Sequence, residues 1–155
     1  MKTKSGLNRA KILNEKSKSS INFFTENINY TLKHKKRLKA WLTKALNEEK
    51  KNKFQINYIL TDDSNLLDLN LKFLKHNFYT DILTFEYSEG KNVIGDIYIS
   101  LERIKENSKI YKVNFSHELD RVMIHGILHL CGHKDKSKAE KNQMTEKENY
   151  YLSLY

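Results

Sequence analysis

The chain has 155 residues, 39% hydrophobic and 30% charged, which excludes a disordered polymer and sets the scale of one domain with one core. No apolar run reaches the roughly 18 residues that cross a bilayer, no secretory core opens the chain, and the single Cys131 excludes an internal disulfide; the expectation is a cytoplasmic protein with no membrane association. The net charge of +9 is concentrated in residues 1–53, which hold 15 Lys/Arg against 4 Asp/Glu, and such a basic half suits a polyanion such as nucleic acid.

Residues 1–19 are polar, basic and weakly patterned, and read as a flexible extension ahead of a single domain over 20–155. A short strand is expected at Ile21–Phe24. Leu38, Trp41, Leu42, Ala45 and Leu46 recur at helical spacing, predicting a basic amphipathic helix with those five inward. Phe54, Ile56, Tyr58 and Leu60 alternate with other residues as in a half-buried strand. Asp62 or Asp63 can cap a helix carrying Leu66, Leu67, Leu71 and Leu74. Strands follow at Asp81–Tyr87 and Val93–Ser100, joined by a turn over Ser88–Asn92 with Gly90, as in a hairpin, with Gly95 marking a bulge. A polar helix, LERIKENSKIYK, comes next. Ser116 is placed to cap the apolar helix HELDRVMIHGILHLC, with Glu118 in its first turn and Gly132 as its stop. A last helix spans roughly Ser137–Leu154. Strands grouped early with helices around them predict an α+β fold, a small central mixed sheet packed with helices.

Within the apolar helix, His125 and His129 stand four residues apart, so both imidazoles project from one face. That spacing alone has little specificity. Burial of two imidazoles among apolar residues would be costly without a partner, however, and a glycine turn brings Asp135 three residues after Gly132. The pattern H-x3-H-x2-G-x2-D has the spacing of zinc enzymes whose third ligand follows a glycine turn. His125, His129 and Asp135 are therefore the expected ligands of one Zn2+ ion, leaving a fourth position open as in catalytic sites. His133 is the rival third ligand. Metallopeptidases with this spacing carry a glutamate general base directly after the first histidine. Gly126 stands there and cannot take a proton, so peptide hydrolysis is disfavoured and the catalytic base is unassigned.

The string HGILHLCGHKD resembles the H-G-x-L-H-L-x-G-x-D-H signature of the YbeY endoribonucleases, bacterial rRNA maturation factors. LNLKFLKHNFYTDILTF (Leu69–Phe85) and IGDIYIS (Ile94–Ser100) resemble two further motifs of that family, in the family's order. The resemblance covers residues 20–155. It implies a metal-dependent endoribonuclease specific for single strands, acting in 16S rRNA 3′-end maturation and ribosome quality control, with rRNA and the small ribosomal subunit as partners. It also implies a zinc helix packed on a central sheet. Two positions depart from the family: its usual third histidine is Asp135 here, and a family arginine is replaced by Leu74. These departures leave open a second reading, a zinc-binding ribosome assembly factor with little or no hydrolytic activity.

Other candidates have structural readings. Cys131 is expected in the core, Asp96 as a turn or bulge partner, His117 on the surface and Met144 in helix core. Thr80 and Asp81 either order a loop near the metal or only begin a strand. Most of the nine tyrosines and seven phenylalanines fall at apolar positions, where burial explains them better than RNA stacking. No glycine-rich phosphate loop is present, so no nucleotide cofactor is expected.

Overall fold

Residues 18–88 and 90–155 are described by a computed structural model. The basic extension expected over 1–19 lies outside these residues except for Lys18 and Ser19, and Glu89 of the expected turn lies outside them as well. In chain order the elements are β1 (Ser20–Thr25), α1 (Lys35–Glu48), β2 (Phe54–Thr61) and α2 (Asp63–Leu69), which runs into a π-helical turn at Asn70–Leu74. Then come β3 (Ile82–Glu86), β4 (Val93–Ser100), α3 (Leu101–Ile110), α4 (Phe115–Leu130) and α5 (Lys138–Ser153).

The four strands form one mixed sheet in the order β1-β2-β4-β3. β1, β2 and β4 run parallel, and β3 pairs antiparallel with β4 as the hairpin reading requires. The architecture is α+β, with the expected apolar faces of α1, β2 and α4 turned inward. All five residues predicted for the inner stripe of α1 are buried. On β2, Ile56, Tyr58 and Leu60 are fully enclosed, and α4 adds Met123, Ile124, Ile127 and Leu128 to the same core. Each such side chain contributes roughly 1.5–3 kcal/mol of apolar burial. Two buried hydrogen bonds tie the polar ends of core aromatics to helix carbonyls: Tyr58 Oη donates to Met123 O at 2.8 Å and Trp41 Nε1 to Tyr151 O at 2.7 Å.

The helix starts follow the chemistry of orphan amide groups. Asp62 accepts from Asn65 N, and Ser137 with Glu140 closes a reciprocal capping box on α5. The cap of α4 is Asn114, whose side chain accepts from His117 N at 2.8 Å, and not the expected Ser116. Asn is as good a cap as Ser, and it stands one residue before the true start of the helix, putting Ser116 inside the first turn.

Two further expectations are corrected. Gly95 forms no bulge: pairing runs unbroken through it, to Ile56 on one side and Glu86 on the other. The glycine instead admits α4, since a Cβ there would lie 2.9 Å from Leu130 Cδ2 and 2.9 Å from Phe85 O. The helix carrying Leu66–Leu74 does not stay regular either. After Leu69 it widens into the π turn, which ends at Lys75 with φ 54°, leaving Leu71 and Leu74 exposed rather than packed.

Candidate metal centre and its surroundings

α4 lies on the β3–β4 side of the sheet because Gly126 lets it approach. A Cβ at Gly126 would sit 3.0 Å from both Ile82 Cδ1 and Ile97 Cγ2. The position after the first histidine therefore faces packed strand side chains, and a glutamate has no room there. One turn apart on the other flank, His125 and His129 face outward with side chains 21% and 26% exposed.

Asp135 comes to them from the loop beyond Gly132, whose φ of 100° suits a glycine at the helix stop. His125 Nε2 and His129 Nε2 lie 2.9 Å apart, and Asp135 Oδ2 is 3.4 Å and 3.2 Å from them. Among the described residues this trio is the one group of three or more His, Cys, Asp or Glu side chains with ligand atoms close enough to hold a metal ion. Bonds of the usual zinc lengths at tetrahedral angles put ligand atoms about 3.3–3.5 Å apart, so the triangle fits an ion with a slight expansion.

The neighbours of the imidazoles strengthen the fit. His125 Nδ1 meets Glu148 Oε2 at 2.8 Å, and His129 Nδ1 meets the carbonyl of His133 at 3.0 Å. An acceptor at Nδ1 holds the proton there and leaves a lone pair on Nε2, the tautomer a metal requires. Two such lone pairs beside a carboxylate oxygen repel unless a cation lies between them. Without a metal the cation must be a proton. Burial opposes that charge, but the Glu148 hydrogen bond and the nearby Asp135 and Asp81 carboxylates outweigh it and raise the His125 pKa.

Glu148 is itself buried and bonded to Arg121, Nη1 to Oε1 at 3.0 Å. His133, the rival ligand, is turned away: its Nε2 lies 2.7 Å from Glu49 Oε2. Glu49 also accepts from Lys147 Nζ and Tyr151 Oη, each at 2.7 Å. Burial works against its charge, yet those hydrogen bonds together hold the Glu49 carboxyl down at about 2. The metal-side loop is thus tied through the His133 ring to α1 and α5, while its backbone orients His129.

A cavity of about 430 Å³ opens beside His125. Asp81, Glu118, Arg121 and Glu148 supply its charged lining, and Tyr111, Val113 and Val122 its apolar walls. Desolvation first and neighbouring carboxylates second raise the pKa of Glu118; desolvation also raises that of Asp81, against the pull of His125.

The remaining sequence candidates fall outside the trio. Asp81 lines the cavity and accepts from Asn107, and Thr80 Oγ1 donates to the carbonyl of Ile82. Asp96 lies within β4, accepting from Asn57 at 2.9 Å. Cys131 is half-buried at the end of α4, and burial pushes its thiol up to about 12, so it stays protonated. His117 is exposed and Met144 is core, as read. Leu74 sits 42% exposed on the π turn. Sequence reasoning missed Glu148, Arg121 and Glu49. A carboxylate four residues after Met144, on the buried stripe of α5, is the one signal that pointed to Glu148; Glu49 is 84 residues from His133 and had none.

The family model described as Endoribonuclease YbeY matches residues 20–155. Curated proteins named Endoribonuclease YbeY are similar over most of the chain. The relative from Flavobacterium psychrophilum is 43% identical over 132 residues, 85% of this chain and 94% of its own. The one from Christiangramia forsetii is 43% identical over 138 residues, covering 89% and 96%. A solution structure of a Thermotoga maritima protein superposes with a TM-score of 0.63 at 30% identity, covering 86% of this chain and 87% of that one. With the family's model matching residues 20–155, most of the chain, the chain belongs to the endoribonuclease YbeY family.

Proposed function

We propose that this chain is a zinc-dependent endoribonuclease that cuts single-stranded RNA, acting in the cytoplasm on the small ribosomal subunit in 16S rRNA 3′-end maturation and ribosome quality control. The observation that carries the proposal is the facing trio of His125, His129 and Asp135, with both Nδ1 atoms already engaged. Zinc held there supplies Lewis acidity toward water and phosphate oxygens.

The chain's own groups set the rest of the chemistry. Glu148 and the His133 carbonyl keep the two imidazoles aimed at the ion. Asp135 adds a negative charge that a third histidine would lack, which tempers that acidity. Gly126 supplies no proton acceptor, which separates this site from the peptidases of similar spacing. Exposed Lys35, Lys36, Lys39 and Lys44 on α1 provide attraction for a polyanion.

The second reading, a zinc-binding ribosome assembly factor with little or no hydrolysis, is favoured by one observation. Leu74 is an exposed apolar residue where the family resemblance calls for an arginine, so no guanidinium grips a phosphate from that position. One experiment separates the two. Purified protein and Asp135→Ala are incubated with single-stranded RNA and with small ribosomal subunits. Cleavage abolished by the substitution is expected; subunit binding in both forms with cleavage in neither would favour the assembly factor.

A further inference from the structure

Three carboxylates face the cavity beside His125, and two are already engaged. Glu148 accepts from His125 and Arg121, and Asp81 accepts from Asn107 at 3.3 Å. Glu118 differs. It is 3% exposed and lines the cavity with the Arg121 charge nearby, but it makes no side-chain hydrogen bond to the described residues, and its oxygens open on the cavity rather than being sealed in the core. A carboxylate shielded from bulk water yet open to a cavity next to the candidate centre is placed to accept from a ligand that brings the donor.

The lining selects the class of ligand. Three carboxylates against Arg121 and His117 leave the lining no excess of positive charge to hold a phosphate. A bare cation is disfavoured by the Arg121 guanidinium and by having only one disengaged carboxylate to bind. Apolar walls from Tyr111, Val113 and Val122 suit a flat ring. Glu118 and His125 are seven residues apart on α4, about 10 Å along the axis, the reach of one nucleotide from its phosphate to its Watson–Crick edge.

We propose that the cavity takes one nucleobase of an RNA strand whose adjoining phosphate lies at the His125–His129–Asp135 group, with Glu118 accepting from the base edge and favouring guanine over uracil. This rests on the ribonuclease reading above. Guanine offers N1–H and an N2 amino group side by side, matching two carboxylate oxygens. Adenine and cytosine offer one amino group. Uracil's single N3–H lies between two carbonyls that the carboxylate repels.

The test uses the zinc-loaded full chain and Glu118→Gln, which keeps the shape but replaces one acceptor by a donor. Cut bonds are mapped on a single-stranded RNA holding every dinucleotide step. Binding of guanosine 3′-monophosphate and uridine 3′-monophosphate is followed in parallel by NMR shifts of the α4 amides. The wild-type chain is expected to cut beside guanine roughly tenfold faster than beside uracil, mostly through KM, and Glu118→Gln to lose most of that ratio. An equal preference in both proteins overturns the proposal. So does a uniform loss of magnesium-stimulated cleavage in Glu118→Gln, which would mark a cation site. If the wild-type chain cuts no RNA, the ribonuclease reading fails on its own, and the nucleotides still decide: tighter guanosine 3′-monophosphate upholds the cavity assignment and equal affinity overturns it. The same wild-type comparison decides if Glu118→Gln does not fold.

Discussion

The α4 end of the molecule and the segment between β2 and β3 form a contrast. At α4, each ligand-face polar group has a partner: His125 has Glu148, Glu148 has Arg121, and the loop is tied by His133 to Glu49. In the β2–β3 segment the chain passes through a π turn and a left-handed Lys75, and exposes Leu71, Leu74, Phe78 and Tyr79. Asn70 there keeps a buried Oδ1 without a hydrogen-bond partner. The first region is preorganised around charge. The second carries apolar surface where the family resemblance calls for an arginine. On the proposed function, metal holding and substrate gripping fall to separate regions of this chain, and substitutions on each side should act on different observables.

The largest effect is expected at the orienting carboxylate. Glu148→Ala should weaken zinc binding roughly 10–100-fold, read by competition with a chelator, because it frees His125 to turn and to change tautomer. Arg121→Ala removes the ion pair but leaves the His125–Glu148 bond, and should cost much less. Equal losses in the two variants would show that the ion pair, not the imidazole bond, matters.

On the other side, Leu74→Arg should raise affinity for single-stranded RNA roughly tenfold at low salt without changing zinc affinity. A steeper salt dependence of binding would identify the gain as a new phosphate contact. A change in zinc affinity would break the separation between the two regions.

Smaller effects test the scaffold. Gly126→Ala should destabilise the fold by about 1 kcal/mol in a denaturant titration: crowding against Ile82 and Ile97 costs more than the better helix propensity of alanine returns. Unchanged stability would mean that α4 has slack against the sheet. The Glu49 hub gives a pH signature. Its carboxyl is held at about 2 against an ordinary 4.5, so the charged form is the one the fold favours. Its contribution is complete above pH 4.5 and disappears as pH falls toward 2. Acid titration of stability should therefore be shallower in Glu49→Gln over that window.

Local periodicity made much of the fold readable. The five inward residues of α1, the inward-facing set of β2 and the apolar run of α4 each require only neighbours a few positions away, although β2 is buried on both faces from Tyr58 to Thr61 rather than half-buried. The two histidines were legible for the same reason. What escaped depends on contacts between distant segments. Gly95 looked like a bulge because the close approach of Leu130 is a tertiary fact. Leu71 and Leu74 fit a helical stripe, but the π turn rotates them off it. Glu148 and Glu49 meet their histidines across 23 and 84 residues, and no spacing rule encodes that.

The most direct test of the account is metal content. The 155-residue chain, Asp135→Ala and His133→Ala are purified, dialysed against limiting zinc and analysed for bound metal. The wild-type chain should hold one zinc ion, His133→Ala should hold it too because the backbone carbonyl that orients His129 remains, and Asp135→Ala should lose most of it. Zinc kept by Asp135→Ala and lost from His133→Ala would contradict the account.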